Sequence, residues 1–225
     1  MNAAHLLRNC AVASLLSVGG AATAALTAID QSGFLASDVL LDYGDPDLFL
    51  APADGLVVGQ VTHAFSVNGS SSMDALVDIT PGVLDFIELG NITGAAGGAL
   101  SLSFAAPQSR LGFGWALSLY DGSGSVTIEL FDAGQISLGT VTIGGAPDSS
   151  FGMTTAFAGV RSDDAFVRAV MTWNGAAEVD VFAFDNVRFA AGDVNGVPAP
   201  GSLALLGAGL CFALRLRRAG PQEHG

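Results

Sequence analysis

The stretch Leu111–Tyr120 reads L-G-F-G-W-A-L-S-L-Y, and it decides the fold class of this chain. Large apolar residues alternate with small residues along it, and a period of two places each set on its own face of a β-strand. The large side chains predict a buried face. The small ones predict either close packing of a second layer or a shallow trough. The small residues are Gly112, Gly114, Ala116 and Ser118, and the large ones are Phe113, Trp115, Leu117 and Leu119.

Similar alternation continues on both sides of this stretch, in short runs bounded by glycine, serine, asparagine or proline. A hairpin is predicted where Ala133-Gly134 supplies a turn between two of these runs. Nine or ten short strands at this spacing predict an all-β domain of the β-sandwich type. Besides the opening stretch, the predicted strands cover 56–67, 83–89, 99–105, 125–132, 135–143, 165–173 and 180–190.

Length and composition agree with one such domain. The chain has 225 residues, of which half are apolar, 13% are charged and 30 are glycine. Subtracting both termini leaves about 170 residues, enough to bury one core. So many apolar residues exclude a disordered chain.

The charge of the predicted outer domain, residues 25–191 with the linker 192–196, is strongly negative. No lysine occurs in the chain, and four arginines face 20 of the 21 acidic residues there, a formal charge of −16. Such a field repels phosphate backbones, so nucleic acid is excluded as a partner. Cys10 and Cys211 both lie outside this domain, which excludes a disulfide or a cysteine nucleophile within it.

The first 24 residues have the pattern of a secretory signal peptide. Arg8 gives the positive start, residues 10–18 give the apolar core, and Ala22 and Ala24 are small residues of the kind that signal peptidase recognises. We therefore predict a signal helix, export, and a mature chain that begins at Ala25. The alternative is an N-terminal helix that is not cleaved.

The C-terminal stretch 197–218 has the pattern of a membrane segment. Residues 197–214 carry no charge, and this length of 18 residues lies at the lower limit of the roughly 17–25 that span a bilayer. Arg215, Arg217 and Arg218 follow and would stay cytoplasmic, with residues 219–225 as a tail. A transmembrane helix is predicted, which anchors the outer domain at the inner membrane. An ordinary C-terminal membrane anchor is the plain alternative.

The order Val197, Pro198, Pro200, then Leu203–Leu214, then the arginine cluster resembles the PEP-CTERM sorting signal of exported bacterial proteins, also labelled an ice-binding protein C-terminal domain. Ala199 stands where that family usually has glutamate. The resemblance implies that an exosortase cleaves the chain near Pro200 and passes it to the cell envelope or the extracellular matrix.

A second resemblance concerns the stretch F-A-F-D-N-V-R-F, Phe182–Phe189. It is similar to the closing strand of the jelly-roll, lectin-like domains that often precede this sorting signal. The resemblance implies a jelly-roll-like β-sandwich for the outer domain.

Acidic side chains suggest calcium sites in two places. Asp42, Asp45 and Asp47 lie within six residues bent by glycine and proline, and Ca²⁺ prefers six to eight oxygen ligands. Asp185 and Asn186 are candidate ligands at the edge of the sandwich. The alternatives are a solvated acidic turn at the first place and a side-chain cap on the strand end at the second.

Four aromatic residues are candidates for stacking on a sugar ring, the usual contact of β-sandwich lectins. The alternative is that the tryptophans belong to the core. The four are Tyr43, Trp115, Tyr120 and Trp173.

Catalysis has little support in the sequence. His63 is the one histidine between the terminal signals, no G-x-S-x-G motif occurs, and a histidine in an alternating strand is typical of a half-buried packing residue. We therefore predict a non-enzymatic structural or adhesive protein. The alternatives are a calcium-dependent carbohydrate-binding module and a polysaccharide hydrolase, so extracellular polysaccharide is a candidate partner beside the export machinery and the exosortase.

Overall fold

The computed structural model describes residues 25–79, 86–87, 90–118, 124–148, 152–175 and 180–191. These residues are all-β, as predicted, with two 3₁₀ turns at Gln31–Gly33 and Pro46–Leu48 and no α-helix. None of the helices in these ranges has the length and apolar character to cross a membrane. The predicted signal helix, linker and C-terminal membrane helix lie outside the described residues.

In the part of the chain that the structure describes, thirteen strands, all paired in antiparallel fashion, form one hydrogen-bonded sheet. Two of them, β8 and β12, are more than twenty residues long. The strands are β1 Leu26–Ala28, β2 Val39–Leu40, β3 Val57–Val58, β4 Val61–Val67, β5 Ser70–Ser71, β6 Ala75–Asp78, β7 Asn91–Ala95, β8 Gly98–Ser118, β9 Ser125–Phe131, β10 Ser137–Gly144, β11 Ala146–Asp148, β12 Met153–Asn174 and β13 Val181–Ala190.

The two long strands divide the sheet into two halves. The first half has the order β10-β9-β12-β8-β4 and uses residues 98–104 of β8 and 168–174 of β12. The second half has the order β12-β8-β13-β7-β6 and uses residues 110–118 of β8 and 153–161 of β12. Strands β1 and β11 add to β12 in this second half.

Aromatic contacts place the two halves face to face. Phe182 of β13 lies 5.8 Å from Phe65 of β4 between ring centroids, although these strands are not neighbours in the sheet. Trp173 of β12 stacks on Phe182 at 3.7 Å. The core therefore lies between the halves, and each large apolar side chain buried there stabilises the fold by about 1.5–3 kcal/mol.

The alternation in the opening stretch is confirmed, and its small residues serve close packing. Phe113 and Trp115 are fully buried on the core face. A Cβ built at Gly112 would lie 2.6 Å from the rings of Phe34 and Phe157. A Cβ at Gly114 would meet the carbonyl oxygen of Phe86. Described segments on the outer side therefore fill the space that the small residues leave.

The predicted strands 99–105 and 111–120 are one strand with a bend. The large apolar side chains that are buried carry even numbers up to Phe104 and odd numbers from Leu111 onward, with Pro107 exposed between them. The pairing of β8 with β12 shifts in the same region, which marks β-bulges. Bulges bend a strand, and proline is tolerated there because no ladder hydrogen bond is required of it.

Candidate functional site

His63 is a core residue and not a half-buried one. The alternation of β4 points it inward, and its side chain has no exposed surface. Its Nδ1 lies 3.2 Å from the carbonyl oxygen of Leu56, which can only accept, so this nitrogen carries the hydrogen. Its Nε2 then accepts from the Tyr43 hydroxyl, 2.8 Å away. Burial lowers the pKa of His63 to about 4. The imidazole is neutral and serves packing, as its sequence position indicates.

Tyr43 is buried, so its predicted role in stacking on a sugar is wrong. Only 1% of the residue is exposed, and its ring packs edge-on against His63. Burial raises the pKa of the Tyr43 hydroxyl well above its usual value, and the charge of Asp185 adds to this effect. A ring enclosed in this way has no face to offer a ligand.

The two tryptophans are also core residues, which confirms the alternative prediction. Trp115 has no exposed surface, and Trp173 has 7% of its surface exposed while Phe182 covers one face of its ring. The stacking role predicted for Trp115 and Trp173 is therefore wrong. Tyr120, the fourth candidate, lies outside the described residues.

The acidic turn at residues 42–47 uses its carboxylates to cap the backbone. Asp42 accepts from the Gly44 amide at 2.7 Å, and Asp45 accepts from the Asp47 amide at 3.0 Å, where it caps the 3₁₀ turn. Within the described ranges no three His, Cys, Asp or Glu side chains are grouped to hold a metal ion. The structure gives the solvated acidic turn rather than a converged set of calcium ligands.

Asp185 and Asn186 lie at a β-bulge in β13. The pairing with β8 shifts between Asp185 and Arg188, and Asn186 has the left-handed backbone conformation with φ of 53°. The amide nitrogen of Asn186 donates to the carbonyl oxygen of Phe86 at 3.0 Å. Asp185 is buried. Asn186 therefore ties β13 to the segment at residues 86–87 and is not a cap on the strand end.

A groove of about 420 Å³ opens on the outer side of β6, β7 and β13. Met73 and Val181 are exposed at its rim, which gives it apolar walls. Asp74 and Asp180 lie together at one end, because their carbonyl oxygens accept from the adjacent amides of Ala95 and Ala96. Such a groove suits a cation on an apolar stem. None of these residues was singled out by sequence, because an alternating pattern does not reveal which outward residues meet.

A second surface, which we call the hydroxyl face, is the outer side of the first half of the sheet. Its members are the residues directly opposite one another across five strands, and every one is exposed or half-buried. The core-facing neighbours alternate with them and are buried, as Ile128 and Met171 illustrate. The face comprises Ser137, Thr140 and Thr142 of β10, Thr127, Glu129 and Phe131 of β9, Arg168, Val170 and Thr172 of β12, Ala99, Ser101 and Ser103 of β8, and Thr62, Ala64 and Ser66 of β4.

Hydrogen bonds order the side chains on one side of the hydroxyl face. The hydroxyl oxygens of Thr127 and Thr142 lie 2.9 Å apart. Nδ2 of Asn174, which neighbours the face, donates to the Thr127 hydroxyl at 2.8 Å. Glu129 accepts from the Ser137 hydroxyl at 2.6 Å. The face is therefore a surface of oriented hydroxyl groups, each able to donate once and accept twice.

No family model matches this sequence, and no curated protein matches it. Among solved structures, a family 29 carbohydrate-binding module complexed with mannohexaose is 14% identical over 75% of this chain and 93% of that one, with a TM-score of 0.37. A cleaved adhesin domain of Lys-gingipain is 11% identical over 70% and 100%, with a TM-score of 0.43. The enzymatically active domain of a bacteriophage tailspike protein is 14% identical over 66% and 23%, with a TM-score of 0.35.

Proposed function

We propose that this chain is an exported, non-enzymatic protein with a structural or adhesive role in the cell envelope or the extracellular matrix. Its outer domain would be a β-sandwich of the jelly-roll type, for which the face-to-face packing of Phe65, Trp173 and Phe182 is the support. The observation that carries the proposal is one acidic β-domain placed between a secretory N-terminal pattern and a V-P-x-P, apolar, arginine-rich C-terminal pattern.

The use of His63 supports a role without catalysis. Its two ring nitrogens are engaged with Leu56 and Tyr43 inside the core, away from any substrate. The outer domain has neither lysine nor cysteine, so a base or nucleophile other than His63 would have to be a carboxylate or a hydroxyl group. Among the surfaces that the described residues present to solvent, the groove and the hydroxyl face are suited to contact with a ligand.

Export and sorting are tested by the mass of the mature protein. We expect a chain that begins at Ala25 and ends near Pro200 in a host with an exosortase, and a chain that keeps its C-terminal tail in a host without one. A variant with Pro198→Ala and Pro200→Ala is the matched control and should keep its tail in both hosts. A wild-type tail retained in both hosts would reject the sorting proposal.

A second candidate function, carbohydrate binding, is favoured by the hydroxyl face. Nine of its fifteen residues are serine or threonine, and sugar hydroxyls pair with such groups as donors and acceptors alike. A glycan array probed with the exported protein, with and without a chelator, tests this function and its calcium dependence. If no glycan on the array is bound either with or without the chelator, the carbohydrate-binding function is wrong.

A further inference from the structure

We propose that the hydroxyl face binds an extended, uncharged polysaccharide chain. This inference rests on the adhesive function proposed above and names its ligand class and its site. The groove between β6, β7 and β13 offers one hydroxyl side chain, Thr93, among its lining residues, so we place this ligand on the hydroxyl face instead.

The charge of the face selects an uncharged ligand. Glu129 and Arg168 are its only charged members, so its formal charge is zero within a domain of −16. A polyanionic glycan would be repelled by the field of the domain as a whole. A polycation would be drawn to the many acidic residues elsewhere in the domain, since the face itself holds only one, Glu129. A neutral glycan is neither repelled by the field of the domain nor drawn away from the face by those residues.

The side chains of the face can contact both the hydroxyl groups and the C–H groups of a sugar ring. Hydroxyl side chains exchange hydrogen bonds with sugar hydroxyls, while apolar side chains cover the C–H groups of the ring. Val170 and Ala64 supply the apolar contacts within the face. The Arg168 guanidinium lies 3.9 Å from the centroid of the Phe131 ring, so it covers one face of that ring.

The size and order of the face suit a chain of sugars rather than one sugar. Neighbouring strands are about 4.8 Å apart, so five strands span roughly 19 Å. Three rows of side chains cross this width, because outward residues recur at every second position along the strands, apart from the bulge between Ser137 and Gly139 in β10. The bonds that link Thr127 with Thr142 and Ser137 with Glu129 exist before any ligand arrives. Side chains ordered in advance lose less entropy on binding.

The test is a calorimetric titration with hexasaccharides of defined charge. The full chain is used in a polyoxyethylene detergent, which has no sugar headgroup to compete. The uncharged probes are cellohexaose, mannohexaose and xylohexaose; hexagalacturonate is the anionic probe and the chitosan hexamer the cationic one. We expect at least one uncharged probe to bind at least tenfold more tightly than both charged probes. We also expect its affinity to change less than twofold between 50 and 500 mM salt and on addition of a chelator.

The site is tested with a variant that keeps its shape and β propensity. Thr127→Val, Thr142→Val and Thr172→Val together remove three hydroxyls from one row and should weaken binding by at least tenfold. Val181→Thr in the groove is the matched control and should bind as the wild type does. Far-UV circular dichroism confirms that both variants are folded.

Three outcomes would overturn the inference: none of the uncharged probes binds, the triple variant binds like the wild type, or a chelator abolishes binding. If one of these outcomes is found while the C-terminus is processed as expected, the binding site is wrong but the proposed envelope role is still supported. If the chain binds the uncharged probe at the face but is never exported or processed, the proposed envelope role is wrong and the binding site is still supported.

Discussion

His63 links the stability of this fold to pH. Its pKa is about 4 in the folded chain and about 6.5 in an unfolded one, because burial disfavours the charged imidazole. Between these values the unfolded chain binds more protons, so the free energy of unfolding falls as the pH decreases from about 6.5 to 4. The loss at the lower end is about 3 kcal/mol, from 1.36 kcal/mol for each pH unit.

Urea unfolding between pH 7.5 and pH 4 measures this loss. His63→Gln is the comparison, since glutamine keeps a polar side chain but does not titrate. We expect the variant to be less stable at pH 7.5 and to lose less stability than the wild type as the pH decreases. The lowered pKa values of Asp30 and Asp54, caused by hydrogen bonds from serine residues, act equally in both proteins. If the free energy of unfolding changed with pH equally in the two proteins, His63 would not be the source of the pH dependence.

The hydrogen bond from the Tyr43 hydroxyl to His63 also stabilises the fold. Tyr43→Phe leaves Nε2 of His63 without its donor in a buried site, which costs about 1–3 kcal/mol. Thr62→Val, on the exposed side of the same strand, is the control and should change the free energy of unfolding by about 0.5 kcal/mol or less. Thermal unfolding of the three proteins measures the difference. If Tyr43→Phe and the control were equally stable, the hydrogen bond between Tyr43 and His63 would make no net contribution to the free energy of unfolding.

Single residues were predictable where they lie in an alternating strand. His63 and Trp115 both fall on the apolar phase of their strands, so the same pattern that predicts the core also opposes a ligand role for Trp115. Tyr43 lies in a turn-rich stretch without alternation, and its burial depends on contacts with β4 that no local pattern reveals. Its assignment as a ligand-stacking residue failed for that reason.

At the scale of the strand, the small-residue face of β8 makes a specific prediction. Gly114→Ala would drive a methyl group into the carbonyl oxygen of Phe86, and overpacking of this kind costs about 1–3 kcal/mol. Gly144→Ala in β10 is the matched control, because a Cβ there meets nothing within 4 Å. Chemical denaturation should show a clear loss for the first variant only. A stable Gly114→Ala protein would mean that the segment at residues 86–87 does not pack on β8.

The bulge in β13 allows the cost of its backbone conformation to be measured. Asn186 has φ of 53°, a region that asparagine and glycine tolerate and a β-branched residue does not. Asn186→Val and Asn186→Gly both remove the hydrogen bond to Phe86, so the loss of that bond cancels in their difference. What is left is the backbone strain of valine set against the greater unfolded-state entropy of glycine. We expect the valine variant to be about 1–3 kcal/mol less stable than the glycine variant in urea unfolding. Equal stabilities would place position 186 in ordinary extended backbone.

Several strands were predictable from sequence, whereas β6, β7, the first part of β12 at residues 153–161 and the bulges were not. The hairpin of β9 and β10 is confirmed, and so is the strand at 180–190 apart from its first residue. A prediction from alternating residues assumes that every second side chain points to the same face along the whole strand. In β13 the large apolar residues that are buried are Phe182 and Phe184 before the bulge, and Val187 and Phe189 after it, because the inserted residue reverses the phase.

At the scale of the whole molecule, the order of the strands decides which surfaces exist. The hydroxyl face combines β10, β9, β12, β8 and β4, and this order across the sheet differs from the order of the strands in the chain. A sequence predicts which residues of each strand point outward, but it does not predict which strands are neighbours. The predicted ligand residues were therefore sought within single stretches, while both candidate surfaces come from distant strands aligned by register.

The same topology predicts that the domain unfolds as one unit. Strands β8 and β12 each run through both halves of the sheet, and Trp173 of the first half stacks on Phe182 of the second. Neither half can lose its pairing without disrupting strands that the other half requires. A shared framework of this kind produces a cooperative, all-or-none transition.

The two tryptophans allow each half to be followed separately, because Trp173 lies in the first half and Trp115 in the second. Trp115→Phe leaves a reporter of the first half, and Trp173→Phe leaves a reporter of the second. Within each variant, fluorescence and far-UV circular dichroism should give the same urea midpoint, although both variants are less stable than the wild type because a large core side chain is reduced. A fluorescence midpoint that departs from the dichroism midpoint in either variant would show that its half unfolds alone, and the long shared strands would then not couple the two.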